Sequence, residues 1–245
     1  MEVKFKRPES MTDLHTIYCS GCGHGIVHRL ITEVIDEFDM REKTIGVIPV
    51  GCAAFAYDYF NFDVSEAPHG RTPCVATGIK RVFPDYFVFS YQGDGDLAAI
   101  GTGEIIHTAN RGENITVIFI NNGNYGMTGG QMAPTTLLNQ KTTTTQFGRS
   151  AKLHGYPLKI SEMLAVSPGS AFIVRCCLTS PKRIIETKRY IKKAFEVQKE
   201  KKGFSLVEVL SPCPVNWKLS PIDANKRIDE IVSKEYPLGV IKDVA

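Results

Sequence analysis

The stretch "YFVFSYQGDGDLAAIGTGEIIHTANRGENITVIFINNGNYG", residues 86 to 126, decides how the chain is read. It opens with an apolar, β-branched and aromatic run (86 to 92) that stops at Gly93. A mixed helical stretch (96 to 111) follows, then a second strand-like run (115 to 122). Strand–helix–strand order implies parallel pairing, and runs that are apolar throughout suit strands covered on both faces. The turns at the strand ends carry the chemistry. Gly93 and Gly95 allow a sharp turn and let backbone N–H groups approach a phosphate, and the following helix N-terminus adds a positive field. Asp94 offers a hard carboxylate oxygen and Asn122 an amide oxygen, ligands that suit magnesium shared with a bound phosphate. Singly, Asp-Gly is a common turn and Asn-Asn a common loop start. Together, after consecutive strands, they point to a ligand at the carboxyl edge of a sheet.

The same rhythm extends outward. Further strands are expected at 44 to 50, ended by Gly51, at 171 to 178 and at 204 to 210. Helices are expected at 25 to 38, where Ile26, Leu30, Val34 and Phe38 form a stripe, and at 180 to 203, which opens with Ser-Pro. The expected fold class is α/β, a mostly parallel sheet with helices on both faces, over residues 1–245 as one domain. Residues 123 to 148 read as a loop, and a loop that long is commonly functional.

A net charge of +3 with no basic, aromatic-interleaved stretch argues against nucleic acid as a partner. No run approaches the roughly 20 apolar residues that cross a membrane, and "MEVKFKRPES" lacks the apolar core of a signal peptide. A cytoplasmic, reducing location is therefore expected. The lysines of the helix after 180 (Lys192, Lys193, Lys199, Lys201, Lys202) read as a solvated face, or more sharply as a surface steering an acidic electron acceptor.

Seven cysteines, an odd number, fit a disulfide framework poorly. "YCSGCGHG" (18 to 25) places Cys19 and Cys22 two residues apart. Gly23 rather than His follows Cys22, which excludes a c-type haem site. A zinc site would need a second pair, and a redox dithiol would need a preceding strand. A four-iron cluster tolerates one such pair plus remote thiolates. Cys52 follows the strand at 44 to 50, and Cys213 follows the strand at 204 to 210. Cys74, Cys176 and Cys177 read as small buried apolar residues.

The spacing of 28 residues from Asp94 to Asn122 resembles the thiamine-diphosphate motif. That resemblance implies that Asp94, Asn122 and the Asn124 carbonyl hold Mg2+. "CSGCGHG", "GC" (51 to 52), "HGR" (69 to 71), "ATGIK" (76 to 80), "GDGD", "NYGMTGGQ" and "SPCP" then appear in order. The chain resembles the β subunit of a 2-oxoacid:ferredoxin oxidoreductase of the 2-oxoisovalerate or 2-oxoglutarate type, from about residue 15 to 217. Residues beyond about 218 read as an extension.

The resemblance implies thiamine diphosphate, Mg2+, one [4Fe-4S] cluster on Cys19, Cys22, Cys52 and Cys213, and coenzyme A as co-substrate. Val50, Gly51, Cys52 and Ala53 would lie against the cofactor. His69, Gly70 and Arg71 would approach cofactor or substrate, with His69 and Arg71 as catalytic groups. Gly93, Gly95, Asp96, Gly126, Met127 and Thr128 would hold the diphosphate, and His24 would brace the cysteine loop. The implied activity is oxidative decarboxylation of a 2-oxoacid to acyl-CoA and CO2, with electrons passing to ferredoxin. The implied partners are an α subunit carrying the pyrimidine side of the cofactor site, and γ and ferredoxin-like δ subunits. Two details depart from the pattern: Ser20 stands where Pro is frequent, and Ala53 and Ala54 stand where hydroxyl residues are common. The competing readings are a non-redox thiamine-diphosphate decarboxylase or carboligase, and a non-catalytic zinc-binding module.

Overall fold

Val88, Phe89, Val117, Ile118, Leu206 and Val207 are all fully buried, so the strands that carry them are covered on both faces. The structure, a computed structural model, describes residues 6–245; residues 1–5 of the expected domain lie outside it. In chain order the strands are β1 (Thr44–Ile48), β2 (Asp63–Glu66), β3 (Phe87–Gly93), β4 (Thr116–Asn121), β5 (Asn124–Tyr125), β6 (Gln131–Met132), β7 (Ser170–Cys177), β8 (Phe204–Leu210) and β9 (Gly239–Asp243). Seven of them form one sheet in the order β2-β1-β3-β4-β8-β7-β9. Every pairing in it is parallel except β7 with β9. The pair β5–β6 is a separate antiparallel hairpin.

Alternation along the strands sends side chains to two cores. Phe87, Phe89, Tyr91, Val207 and Val209 pack under the helices His24–Glu37 and Pro181–Lys199. Val88, Val117, Phe119 and Leu206 pack under the helices Thr72–Val82, Thr102–Asn110 and Ile160–Ala165. The expected Ser-Pro start is realised: the Ser180 hydroxyl accepts the Arg183 N–H at 3.4 Å.

Several expectations are corrected. The helix expected over 96 to 111 begins as a π-turn at Asp96–Ile100, where Gly101 N donates to Asp96 O at 2.8 Å, and becomes α-helical at Thr102. Strand β2 was not legible because it is a short, largely exposed edge. The segment after 218 is not appended to the fold, since β9 closes the far edge of the sheet against β7. The loop from 123 holds the β5–β6 hairpin, and Arg149 pins it by donating to the carbonyls of Ala133, Pro134, Thr136, His154, Gly155 and Tyr156.

The lysines read as a solvated or steering face have close neighbours. Lys192 pairs with Glu37, Lys193 with Asp243, Lys201 with Asp85 and Lys202 with Glu200, while Lys199 lies over the Phe38 ring. Each of these carboxylates offsets part of the charge of the lysine beside it.

Between β7 and β8 the buried Arg175 and Glu208 pair at 2.8 Å, and Arg175 also grips Glu162 with both terminal nitrogens. Removing one member of such a pair costs about 3–5 kcal/mol, because the other charge is stranded in the interior.

Two glycines give a paired test of the packing. A Cβ on Gly169 would lie 2.3 Å from Ala109 O and 2.4 Å from Gly112 N, whereas one on helical Gly103 meets nothing within 4 Å. Gly169→Ala is expected to destabilise by about 1–3 kcal/mol, a drop of several degrees in Tm. Gly103→Ala should be neutral or stabilising by up to about 1 kcal/mol in the same thermal melts.

Candidate functional site

Strands β1, β3, β4 and β8 are successive parallel neighbours, so their carboxyl ends open on one edge of the sheet. Cys52, Asp94, Asn122 and Cys213 all stand just past those ends. A cleft there is lined by Val50, Gly51, Cys52, Ala53, His69, Gly93, Asp94, Gly95, Asp96, Asn122, Asn124, Gly126, Met127 and Thr128. His24 and Tyr125 complete the lining. Of the residues expected near a cofactor, only Gly70 and Arg71 are absent from it.

Asp94 is 2% exposed. Its carboxylate accepts from Thr135 Oγ1 at 2.7 Å, Gly123 N–H at 2.7 Å and Gly95 N–H at 2.9 Å. Burial pushes its pKa up to about 6, and these neutral donors only partly oppose the shift. A divalent cation beside it would stabilise the ionised form and draw the pKa back down. A Cβ on Gly93 would point into open space, so the cleft floor beside Asp94 has room for a ligand atom. Asn122 Oδ1 sits beside Asn124, accepting its backbone N–H at 3.1 Å and its side-chain amide at 2.9 Å. The oxygen-rich donor set fits magnesium and a diphosphate. Gly95 has a second reason to be glycine: the Tyr125 ring lies where its Cβ would be, 2.2 Å away. Thr135 lies in no motif, and Tyr125, though part of "NYGMTGGQ", has no role assigned from the sequence; only folding the long loop back onto β3 reveals them.

Asp96 and Arg71 behave differently from expectation. The Asp96 carboxylate accepts from His69 Nδ1 at 2.5 Å, Gly70 N–H at 2.6 Å, Gln92 Nε2 at 2.5 Å and the Thr72 hydroxyl at 3.4 Å. It therefore organises the His69–Gly70 turn. With a carboxylate acceptor at Nδ1, that nitrogen is the donor, and in the corresponding neutral tautomer Nε2 would be the acceptor. Arg71 turns away from the cleft. Gly70 sits against Ile100 and Gly101, which brings the Arg71 guanidinium to Glu104 at the protein surface.

Two of the four cysteines singled out, Cys52 and Cys213, come together at the Gly126 turn. Its would-be Cβ lies 3.2 Å from Cys52 Sγ and 3.8 Å from Cys213 Sγ. Cys22 N donates to Cys19 O at 2.9 Å, closing the Cys-x-x-Cys turn, and Gly23 N donates to Ser211 Oγ at 3.2 Å, tying that turn to the end of β8. From the other side Tyr18 donates to Cys52 O at 2.9 Å, and its ring stacks on His24. His24 is held in turn by Tyr91 at 2.5 Å, so it does brace this loop.

Burial, reinforced by the neighbouring thiols of Cys213, Cys52 and Cys19, pushes the Cys22 thiol up to about 12. The Cys52 thiol rises to about 11 for the same reasons. Thiols that oppose one another's ionisation suit a cationic metal centre, which replaces their protons. Among the described residues no three His, Cys, Asp or Glu side chains close around a single-ion position. A four-iron cluster, by contrast, interposes its own iron and sulfide between its thiolates.

The remaining cysteines divide. Cys176 and Cys177 are buried on opposite faces of β7, as expected. Cys74 is exposed, contrary to expectation, because it sits on the outer side of the helix Thr72–Val82. Pulse alkylation of the metal-free chain under reducing conditions should therefore label Cys19 and Cys74 first. Cys176 and Cys177 should react only after unfolding, and peptide mass spectrometry reads the order.

With this geometry in view, comparisons with known proteins are specific. The family model for the thiamine pyrophosphate enzyme C-terminal TPP binding domain matches residues 49–209. The chain is 48% identical to the ketoisovalerate oxidoreductase subunit VorA of Methanothermobacter thermautotrophicus, over 98% of its own length and 50% of that subunit's. It thus spans half the length of that relative. It is 38% identical to the 2-oxoglutarate synthase subunit KorB of Methanocaldococcus jannaschii, over 87% of this chain and 77% of that one. Among solved structures, the 2-oxoglutarate:ferredoxin oxidoreductase of Magnetococcus marinus superposes with a TM-score of 0.79 at 22% identity, covering 99% of this chain and 86% of that one. The fold is the same. The chain belongs to the thiamine pyrophosphate enzyme family, in the branch formed by the VorA and KorB subunits of 2-oxoacid oxidoreductases.

Proposed function

We propose that this chain is the thiamine-diphosphate-binding subunit of a 2-oxoacid:ferredoxin oxidoreductase, active with partner subunits in the oxidative decarboxylation of a 2-oxoacid to acyl-CoA and CO2. The observation that carries the reading is a shared wall. Cys52 and Gly126 line the cleft that holds Asp94, and a Cβ placed on Gly126 would come 3.2 Å from Cys52 Sγ and 3.8 Å from Cys213 Sγ. Electrons released at one site would have a short path to the other.

When bound, thiamine diphosphate supplies a carbanion that decarboxylates 2-oxoacids, and a [4Fe-4S] cluster supplies a one-electron sink. The roles of this chain's own residues follow from their placement. Asp94, Asn122 and the Asn124 carbonyl would hold Mg2+, and Gly93, Gly95 and the Gly126–Thr128 turn would receive the diphosphate. Val50 to Ala53 would flank the cofactor, and Cys19, Cys22, Cys52 and Cys213 would ligate the cluster. His69, oriented by Asp96, would accept or return a proton at Nε2. Arg71, half-exposed and paired with Glu104, would approach the substrate only on leaving that carboxylate.

The proposed partners are an α polypeptide or domain completing the pyrimidine side of the cofactor, further γ and δ subunits, and ferredoxin, with coenzyme A as acyl acceptor. A reducing, cytoplasmic setting suits four ligating thiols. No helix among the described residues is long and apolar enough to cross a membrane. Greater identity to a ketoisovalerate subunit than to 2-oxoglutarate subunits favours a branched-chain 2-oxoacid as substrate.

Anaerobic analysis of iron and acid-labile sulfide tests the reading. About four of each per chain are expected. Cys52→Ser and Cys213→Ser should lower both, and Cys74→Ser should not. Retained thiamine diphosphate without iron would instead support a non-redox decarboxylase. Bound zinc without thiamine diphosphate would support a binding module.

A further inference from the structure

Residues 218–245 carry no motif, yet one of their side chains supports the cleft from behind. Tyr236 is 1% exposed, and its hydroxyl donates to Thr135 O at 2.9 Å. The Thr135 hydroxyl donates in turn to Asp94. The carbonyls of Ala133, Pro134 and Thr136 are taken by Arg149, so Tyr236 satisfies the one that remains in this turn. The tyrosine is itself held. The Arg175 guanidinium lies 5.2 Å from its ring centre and donates to Pro237 O at 3.2 Å. Through Glu208 the same arginine reaches Asn121, which donates to Glu208 Oε1 at 2.8 Å and precedes Asn122.

We infer that Tyr236 is a positioning residue for the metal-facing carboxylate: clamped by Arg175, it fixes the Thr135 backbone so that the threonine hydroxyl keeps Asp94 aimed into the cleft. The inference rests on the reading of Asp94 as a magnesium ligand. Its physical basis is the burial of Asp94, whose orientation is set by the few donors that reach it. Without the tyrosine hydroxyl, Thr135 O loses its partner and the turn can rotate the threonine away. The C-terminal segment then belongs to the cofactor site, although none of its residues lines the cleft.

Tyr236→Phe keeps the ring beneath Arg175 and removes only the hydroxyl. The test is equilibrium dialysis of thiamine diphosphate against the assembled complex as free Mg2+ is varied. The half-saturating Mg2+ concentration is expected to rise about 5- to 10-fold in the variant. Val232→Ala, which opens a gap in the same apolar cluster without touching Thr135, should lower the melting temperature but leave the Mg2+ requirement unchanged. Thr135→Val should reproduce the Tyr236→Phe shift, and the double variant should shift no further than Thr135→Val alone. An unchanged requirement in Tyr236→Phe, an equal rise in Val232→Ala, or additive shifts in the double variant would each overturn the positioning role. Failure of the unsubstituted complex to bind thiamine diphosphate at any Mg2+ concentration would instead overturn the reading of the site, and the positioning role with it.

Discussion

A carboxylate sealed in the interior with only neutral donors is an incomplete arrangement. Asp94 receives one hydroxyl and two backbone N–H groups, and burial still holds its pKa near 6. Around it the turn after β3, the turn after β4 and the long loop from 123 converge, each contributing a donor or a wall. The chain keeps a charge that its own residues do not neutralise. In the proposed function a cation at this edge does so, and the diphosphate follows the cation.

A parallel sheet makes the second half of the arrangement possible. Strands β1, β3, β4 and β8 run the same way and lie side by side, so groups far apart in the chain emerge within a few ångströms of one another. Cys52 and Cys213 are separated by most of the chain, yet both approach Gly126. The Cys-x-x-Cys turn reaches them by hydrogen bonding to Ser211, and Tyr18 fastens it to the Cys52 backbone. Proximity of these thiols to the oxygen-lined cleft is thus a property of topology, not of either group alone.

Side-chain direction sets where several of the singled-out residues lie. Arg71 lies beside His69 in "HGR", but the turn at Gly70 sends it to Glu104. Cys74 looks like an interior residue by type, and its place on the outer side of a helix exposes it. The lysines of the basic segment pair with Glu37, Asp85, Asp243 and Glu200, which lie up to 155 positions away in the chain, as for Lys192 and Glu37. Asp96 belongs to "GDGD", yet its hydrogen bonds assign it to the His69 turn.

Read alone, the residues determined the alternation of buried strands and helices, the turns that carry Asp94 and Asn122, and the family resemblance. These are local properties: apolar periodicity, glycine punctuation and the spacing of short motifs. Tertiary structure alone decided that Thr135 and Tyr236 stand behind Asp94, that β9 closes the sheet, and which carboxylates stand beside Lys192, Lys193, Lys201 and Lys202. These depend on where distant segments are laid against one another. Short edge strands and single polar contacts leave no periodic trace in the chain.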